Sequence, residues 1–363
     1  METNQILEGN VLDRLKDIED GSIQCVVTSP PYWGLRDYGT AEWEGGDENC
    51  GHKVGRFEHS VSSKQKSNSA SAGHQAKEKC PKCGAIRQDK QLGLEETPEE
   101  FVDNLVKVFR EVKRVLKKDG TCWLNLGDSY SAQRWTKKGK TSTEAQPMNK
   151  MKDDWRAIAP TKKSGLPDKN LIGIPWRVAF ALQSDGWYLR QDIIWHKPNP
   201  MPESVRDRCT KSHEYIFLLT KSAKYYYDAD AVREPCNEGG ILRLSQKNIK
   251  NQMGSERGNG GMKPNGTMKA VGDLEKGRNK RSVWTITTKP YKEAHFATFP
   301  PELPELCIKA GSREGDIILD PFFGSGTTGW IAQRLGRKWM GIELNTDYIK
   351  IAEKRFIQQD LFA

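Results

Sequence analysis

Four consecutive residues, Ser29-Pro30-Pro31-Tyr32, combine a hydroxyl group, two prolines and an aromatic ring directly after the β-branched run 23–27. The two prolines remove two backbone N–H donors and fix φ twice, so neither a helix nor a central strand continues through them. The predicted strand therefore ends in a stiff turn whose carbonyl oxygens have no local N–H partner. Free carbonyl groups beside aromatic faces suit a flat substrate with an amino group, such as a nucleobase. A proline-rich loop in which Tyr32 and Trp33 only pack is the alternative.

A second set of residues has the pattern of a nucleotide-binding unit. A buried-strand pattern ends at Asp320, the turn Pro321-Phe322-Phe323-Gly324-Ser325-Gly326-Thr327-Thr328-Gly329 follows, and a helical pattern covers 330–335. The next predicted strand, 338–344, carries Glu343 near its end, 23 residues after Asp320. An acid in this place is suited to hold a ribose diol. Because the glycines lack the G-x-G-x-x-G spacing and no P-loop lysine follows, a pyrophosphate ligand is disfavoured.

Taken together, the Ser29–Tyr32 and Asp320–Thr328 motifs resemble those of the DNA amino-methyltransferases. These enzymes transfer a methyl group from S-adenosylmethionine to the N4 amine of cytosine or the N6 amine of adenine. In the β arrangement of the family the catalytic motif comes first and the cofactor motif last, as here. The resemblance covers most of the chain apart from three polar segments. It implies an α/β fold with a circularly permuted Rossmann-like sheet, with both motifs at the carboxyl ends of adjacent strands.

The resemblance also implies residue roles. The catalytic residues would be Ser29, Pro30, Pro31 and Tyr32: the Pro30 carbonyl and the Ser29 hydroxyl accept the N–H bonds of the target amine, and Tyr32 stacks on a flipped base. The implied S-adenosylmethionine-binding residues are Asn10, Phe299, Asp320, Pro321, Phe322, Phe323, Gly324, Gly326, Thr327, Thr328 and Glu343. Asn10 replaces the aspartate of the family's frequent Gly-Asp pair, so a plain turn residue is the alternative at that position.

The residue at position 29 bears on the methylated base. In the family, serine there favours N4-cytosine, whereas aspartate or asparagine favours N6-adenine. We therefore expect a cytosine-N4 enzyme, with adenine-N6 as the alternative. A protein-glutamine methyltransferase would carry its cofactor motif first, and a non-catalytic zinc-knuckle nucleic-acid binder would not need both motifs intact.

The segment 40–92 carries candidate metal ligands. Cys50, His52, Cys80 and Cys83 offer four donors of the types that hold structural zinc, and Cys80 and Cys83 form a Cys-x-x-Cys-Gly knuckle. Four protein ligands would close the site, which indicates a structural metal rather than a catalytic one. Unrelated free thiols are the alternative, and His59 or His74 could take the place of His52.

The positive charge is concentrated in one segment. The chain of 363 residues has a net charge of +9, 36% hydrophobic residues and a mean hydropathy of -0.74, which predicts a core diluted by polar segments. Residues 237–292 hold 12 Lys and Arg against 4 Asp and Glu. This bias predicts a target-recognition segment that becomes ordered on double-stranded DNA; a solvated linker is the alternative. Residues 131–169, rich in lysine and without periodicity, predict a mobile loop.

These features divide the chain into segments. The predicted order is 1–39 (start of the catalytic half), 40–92 (zinc-knuckle insert), 93–236 (rest of the catalytic half), 237–292 (target recognition) and 293–363 (cofactor half). No run predicts a membrane span, the first residues do not predict a signal peptide, and eight cysteines then favour reduced thiols or metal over disulfides. The resemblance implies a prokaryotic or phage-encoded cytoplasmic protein acting on DNA, with a cognate restriction endonuclease as partner; the sequence leaves the oligomeric state open.

The elements that must position these groups follow from periodicity and caps. Thr97-Pro98-Glu99-Glu100 is a capping box that predicts a helix to about Lys117, with Gly120 as its stop. Further helices are predicted over 174–182, 304–310 and 346–359, and further strands over 121–126, 187–195 and 213–220. A short strand and turn are predicted over 5–12, followed by a helical turn over 13–18.

Overall fold

The computed structural model describes most of the chain. The described residues are 2–34, 42–47, 49–50, 80, 82–88, 91–131, 134–137, 155–158, 164–245, 277–289 and 299–360. Within these ranges, no helix is both long and apolar enough to cross a lipid bilayer. His52, His59 and His74, and the middle of each polar segment, lie outside the described residues.

Twelve strands and seven helices are present in the described ranges. The strands are β1 (Gln5–Glu8), β2 (Ile23–Thr28), β3 (Glu42–Glu44), β4 (Ile86–Gln88), β5 (Leu116–Leu126), β6 (Arg134–Lys137), β7 (Trp155–Ile158), β8 (Tyr188–His196), β9 (His213–Thr220), β10 (Val283–Thr285), β11 (Ile317–Asp320) and β12 (Lys338–Glu343). The helices are α1 (Val11–Leu15), α2 (Pro98–Val115), α3 (Ile174–Ser184), α4 (Glu238–Leu244), α5 (Glu302–Gly311), α6 (Thr327–Arg334) and α7 (Thr346–Asp360).

Eight of the strands form one sheet in the order β1-β12-β11-β2-β5-β9-β8-β10. Each neighbouring pair is parallel except the two that involve β9, which runs antiparallel to β5 and to β8. The late strand β11 pairs with the early strand β2, with Ile318 opposite Cys25 and Leu319 opposite Val26. The expected α/β fold is therefore confirmed as a mostly parallel mixed sheet, and the strands carrying the two motifs are neighbours.

Helices cover both faces of this sheet. Alternate residues of β2 enter two separate cores: Val26 packs with α2 residues such as Phe101 and Leu105, whereas Cys25 and Val27 lie in the core built by α5 and α6. A parallel strand buried on both faces needs apolar residues throughout, which explains the unbroken run of β2. The carboxyl ends of the parallel strands are consequently left as the edge where a ligand can enter.

The boundary between α2 and β5 corrects one expectation. Helix α2 ends at Val115 rather than near Lys117, and the buried Leu116 already begins β5. Gly120, expected as the helix stop, lies inside β5. A Cβ atom there would come within 2.7 Å of the Leu116 side chain and 2.9 Å of the Gln24 carbonyl oxygen. The glycine therefore permits close strand packing rather than ending the helix.

Two short strands, β6 and β7, lie within the segment 131–169, for which we expected a mobile loop; the mobility of this segment stays a prediction. Strands β6 and β7 pair antiparallel. The ends of the segment are joined, because the Ser131 N–H donates to the Asn170 carbonyl at 2.7 Å and the Ser131 hydroxyl lies 2.7 Å from that of Ser164.

The basic segment 237–292 contains a helix near its start and a strand near its end, and its expected ordering on DNA stays a prediction. Helix α4 begins at its start, and β10 adds to the edge of the main sheet beside β8. Arg278 donates to Glu234 at 2.9 Å. Residues 246–276 of this segment lie outside the described residues.

Candidate active site

The catalytic turn begins where β2 ends. Pro30 is buried, and Ser29 and Tyr32 are half-buried. The Ser29 hydroxyl donates to the Tyr32 hydroxyl at 3.4 Å, which leaves the lone pairs of Ser29 available as acceptors. Among the residues that the structure describes, none donates a hydrogen bond to the Pro30 carbonyl oxygen. The turn therefore has two acceptor groups with unused capacity, and their role towards a target amine stays a prediction.

The segment that follows the first insert supports this turn. The Gly34 N–H donates to the Gly93 carbonyl at 2.9 Å, and the Trp33 indole donates to the Glu95 carbonyl at 3.0 Å. Trp33 is 4% exposed and belongs to the core, so it is a packing residue, whereas Tyr32 points towards β5 and β9. Trp33 and Tyr32 thus have different roles.

Asp320 connects the catalytic turn to the glycine turn. Its carboxylate accepts hydrogen bonds from the Thr28 hydroxyl at 2.7 Å, the Thr328 hydroxyl at 2.7 Å and the Phe322 N–H at 3.1 Å. Burial raises the pKa of Asp320 to about 7, although these three hydrogen bonds act in the opposite direction. The predicted cofactor residues Asp320, Phe322 and Thr328 are therefore joined to the last residue of the catalytic strand.

The glycine turn has room and unused polar groups for a ligand. Gly324 has φ +51°, and a Cβ atom there would meet nothing within 4 Å. The Ser325 hydroxyl oxygen is buried and has no hydrogen-bond partner among the described residues. An orphaned buried hydroxyl beside an open glycine backbone fits a polar ligand that supplies the missing bond. These residues therefore fit S-adenosylmethionine, the cofactor that the resemblance implies.

Glu343 lies on the other side of this turn. One carboxylate oxygen accepts from the Gly324 N–H at 2.7 Å and the other from the Asn345 N–H at 2.8 Å. Burial raises the pKa of Glu343. Each oxygen keeps a lone pair that can accept from a ribose hydroxyl. The Gly9 N–H donates to the Glu343 carbonyl at 2.9 Å, and Asn10 is the residue that follows Gly9 in the chain.

Asn10 caps α1, because its side chain accepts from the Leu12 N–H at 2.9 Å. It also lines a cavity of about 430 Å³ together with residues such as Leu92, Glu95 and Val108. The structure thus supports the turn role that was the alternative for Asn10, and Asn10 is also one of the residues that line this cavity.

Most of the other predicted cofactor residues are packed against neighbouring residues around the glycine turn. The Phe323 ring is buried and stacked on Trp339, with ring centroids 5.2 Å apart, and a Cβ atom on Gly341 would come within 2.3 Å of it. Pro321 and Gly326 are buried, the Thr327 hydroxyl accepts from Arg355 at 2.9 Å, and Phe299 packs against the core beside α5 and α6. The direct role of these residues with a cofactor stays a prediction.

Three further residues, Glu214, Asn125 and Lys197, form a network with the Tyr32 hydroxyl and were not assigned to the site from the sequence. Tyr32 donates from its hydroxyl to Glu214 at 2.7 Å, Asn125 donates to the same carboxylate at 3.2 Å, and Lys197 forms an ion pair with it. Glu214 is the second residue of β9, the antiparallel strand, so it lies at the edge where the parallel strands end. The sequence signal for Glu214 and Lys197 was the polar residues that flank the apolar runs of β8 and β9, and the signal for Asn125 was its place near the carboxyl end of β5.

Two further polar residues near these strand ends, Asp128 and His196, have structural partners. Asp128 accepts from the Gly173 and Ile174 N–H groups at 3.0 and 3.1 Å, so it caps α3. His196 lies 3.2 Å from the Thr285 hydroxyl, at the junction of β8 and β10. Neither contact reaches the catalytic turn.

Three of the four candidate zinc ligands are close together. The sulfur atoms of Cys50, Cys80 and Cys83 all lie within 4.8 Å of one another, and those of Cys50 and Cys80 are 3.9 Å apart. Two thiolates on one tetrahedral zinc are about 3.8 Å apart, given Zn–S bonds of about 2.3 Å. The Cys80 N–H donates to the Ala85 carbonyl at 2.7 Å, and a Cβ atom on Gly46 would lie 2.8 Å from the Cys83 sulfur, so the cluster lies beside the antiparallel pair β3 and β4. The three sulfur atoms therefore fit zinc, and His52, the candidate for a fourth ligand, lies outside the described residues.

Comparison with known proteins gives consistent matches. A family model described as DNA methylase matches residues 23–354. The type II methyltransferase M.Cfr9I of Citrobacter freundii is 41% identical over 98% of this chain and 88% of its own length. The type II methyltransferase M.SmaI of Serratia marcescens is 40% identical over 98% of this chain and 91% of its own length.

Solved structures share the fold at lower identity. The PvuII DNA methyltransferase, described as cytosine-N4-specific, is 17% identical, with a TM-score of 0.55 over 98% of this chain and 87% of its own. TTHA0409 of Thermus thermophilus, solved as a complex with S-adenosyl-L-methionine, is 21% identical, with a TM-score of 0.52 over 97% of this chain and 92% of its own.

Proposed function

This chain belongs to the DNA methylase family whose model spans residues 23–354, and within that family we propose that it methylates the N4 amine of a flipped cytosine in double-stranded DNA. The observation that carries the proposal is the Pro30 carbonyl, which accepts from no described residue, beside the Ser29 hydroxyl and one strand away from the open glycine turn. Methyl donor and amine must meet nearly in line, and neighbouring strand ends supply that proximity. The proposed sheet is a circularly permuted Rossmann-like one.

The role of the catalytic turn follows from the chemistry of the amine. The lone pair of an exocyclic amine is delocalised into the base ring, so the group is a poor nucleophile. The Pro30 carbonyl and the Ser29 hydroxyl would accept its two N–H bonds and localise the lone pair on nitrogen. Because the amine is unreachable inside a duplex, the base must be flipped out, and the Tyr32 ring would stack on it.

The cofactor half would bind the methyl donor. When bound, S-adenosylmethionine supplies a methyl group activated by its sulfonium. Glu343 would accept the ribose hydroxyls, and the Gly324 backbone and the Ser325 hydroxyl would line the turn. Asp320 would hold the two halves together through Thr28 and Thr328, so that donor and amine keep a fixed separation. No covalent enzyme intermediate is required.

The preference for cytosine rests on Ser29. Serine at this position favours N4-cytosine in the family, and adenine-N6 methylation by the same turn is the alternative. The similarity to solved structures extends to the fold alone and carries no argument about the base. The basic segment 237–292 would hold the duplex by its phosphates, and a cognate restriction endonuclease is the proposed partner in the cell.

We also propose that Cys50, His52, Cys80 and Cys83 bind one structural zinc ion. The three described sulfur atoms support this by their separation. The metal would fix the base of the insert beside β3 and β4, and it would take no part in the methyl transfer itself. The remote alternative for the whole chain, a non-catalytic zinc-knuckle nucleic-acid binder, requires that the catalytic turn be inactive.

One experiment tests the reaction and the base together. DNA free of amino-methylated bases is incubated with the protein and S-adenosylmethionine, digested to nucleosides and analysed by mass spectrometry. We expect N4-methylcytosine. A rise in N6-methyladenine instead would retain the reaction and reject the cytosine assignment. Absence of both bases, with cofactor binding demonstrated by calorimetry, would reject the proposed reaction.

A further inference from the structure

The hydroxyl end of Tyr32 is held by groups from two other strands. It donates to the Glu214 carboxylate at 2.7 Å and lies 3.3 Å from the Asn125 side-chain oxygen. The Asn125 amide in turn donates to the same Glu214 oxygen at 3.2 Å and to the Tyr215 carbonyl at 3.1 Å. The tip of the ring is therefore bound to a network centred on Glu214.

Glu214 is itself held in place. Its second carboxylate oxygen pairs with the Lys197 ammonium group, and the Glu214 side chain is 16% exposed. Lys197 lies over the Trp195 ring at 4.2 Å, so both ends of this ion pair are fixed by β8 and β9. A hydrogen bond to a charged, partly buried acceptor is about twice as strong as a neutral one. The carboxylate is thus a strong and immobile anchor.

The flank of the same ring is also confined. A Cβ atom on Gly127 would come within 2.5 Å of the Tyr32 ring, so the ring packs directly on the backbone that follows β5. A Cβ atom on Gly93 would lie 3.0 Å from the Tyr32 carbonyl oxygen. Tyr32 is therefore fixed at its hydroxyl, along its ring and at its backbone by three different segments.

We propose that Glu214 is a positioning residue for the target base, acting through Tyr32. This inference rests on the proposed function, in which Tyr32 stacks on the flipped base. A ring fixed before the base arrives loses less conformational freedom on binding, so the base is aligned with the Ser29 and Pro30 acceptors at lower cost. Glu214 does not touch the base in this scheme, because its oxygens are occupied by Tyr32, Asn125 and Lys197.

A double-mutant cycle tests the proposal. The full-length chain is compared with Glu214→Ala, Tyr32→Phe and the double variant, using plasmid DNA free of amino-methylated bases and tritiated S-adenosylmethionine. Tyr32→Phe keeps the stacking ring and removes only the hydroxyl. Each single change should lower kcat about 10- to 100-fold, as expected for loss of one charge-assisted hydrogen bond. The double variant should be no slower than the slower single variant.

Matched measurements separate positioning from damage to the fold. The dissociation constant for S-adenosylmethionine should change by less than about twofold in every variant, because Asp320 and Glu343 are untouched. Glu214→Gln, which keeps an oxygen acceptor for Tyr32, should lie between the wild type and Glu214→Ala. Glu305→Ala, which removes a carboxylate paired with Lys309 on α5, should leave kcat unchanged.

Each outcome of these measurements either supports or overturns the positioning role of Glu214. Multiplicative effects of the two single changes, or a fully active Glu214→Ala, would overturn the positioning role while leaving the proposed function intact. Should Glu214→Ala fail to fold, the cycle is run under the same criterion with Glu214→Leu, which retains most of the side-chain volume and removes the acceptor. A wild type that methylates no DNA would reject the proposed function, and the same cycle measured by thermal unfolding would then decide whether Glu214 and Tyr32 are coupled.

Discussion

The hydroxyl groups of Thr28 and Thr328 donate to opposite oxygens of one buried carboxylate, that of Asp320, each at 2.7 Å. The two threonines lie 300 positions apart in the sequence, at the end of the catalytic strand and at the start of the helix after the glycine turn. Asp320 therefore joins the first and last parts of the chain at the point where the proposed reaction takes place.

Two substitutions of Asp320 should show how much its hydrogen-bond acceptors contribute to the free energy of unfolding. Asp320→Ala leaves two hydroxyl donors and the Phe322 N–H without their acceptor, so we expect a loss of about 2–4 kcal/mol in the free energy of unfolding. Asp320→Asn keeps the shape and one acceptor oxygen and should lose much less at pH 7. Urea unfolding of both variants measures the difference, and equal losses would contradict the role assigned to the hydrogen bonds.

The same residue predicts a pH dependence. Because the pKa of Asp320 is raised from 3.8 to about 7 by burial, the folded state keeps a proton that the unfolded state has released between these values. The stabilisation that this retained proton provides is complete below about pH 4 and is lost as the pH rises through about 7. Asp320→Asn cannot ionise, so its melting temperature relative to wild type should increase from pH 5 to pH 8. A constant difference across this range would contradict the raised pKa.

Gly127→Ala should impair methyl transfer without impairing cofactor binding. Its Cβ atom would lie 2.5 Å from the Tyr32 ring, so the ring must move away from its position beside β5. We expect kcat to fall by at least about tenfold, since catalysis is sensitive to displacements of about 1 Å. Steady-state kinetics with calorimetric titration of S-adenosylmethionine checks both halves of the prediction.

Gly341→Ala should act on the other half of the site. The added methyl group would lie 2.3 Å from the Phe323 ring, which supports the glycine turn from within the core. Overpacking of this kind costs about 1–3 kcal/mol, and we expect a lower melting temperature together with weaker binding of S-adenosylmethionine. Unchanged cofactor affinity would indicate that the position of Phe323 is irrelevant to the turn.

The metal site gives an independent prediction. Purified protein should contain about one zinc ion per chain, and Cys50→Ser or Cys80→Ser should lower that content by more than half. Cys209→Ser is the matched control, because Cys209 is exposed and lies outside the cluster. Mass spectrometry of the metal content is the measurement; wild-type protein with well under one zinc per chain rules the site out.

The sequence was sufficient to predict where the two strands that carry the motifs end. The double proline after β2 and the glycines after β11 end their strands for local reasons, and local patterns are what a single sequence reveals most directly. The pairing of β2 with β11 confirmed that the two motifs lie side by side. It did not follow from the motifs that Phe323 points into the core, because that depends on the space left by Gly341.

Glu214 shows what sequence reasoning missed and why. An acid at the start of a strand is an ordinary feature, and its place at the site depends on β9 running against its neighbours. Strand direction is a property of the assembled sheet, not of the eight residues of β9. The same holds for Gly120, whose role depends on the closeness of Leu116 and Gln24 rather than on the preceding helix.

The bond between the Gly34 N–H and the Gly93 carbonyl, at 2.9 Å, closes a detour of 58 residues from 35 to 92. The chain leaves the catalytic turn and returns to it at almost the same point, so the length of the stretch between them can change without moving the turn. Such a segment can be exchanged as a unit. During evolution it could be lengthened, replaced or lost through changes confined to the two positions where it joins the rest of the chain. New binding properties can thereby be acquired without rebuilding the enzyme beneath.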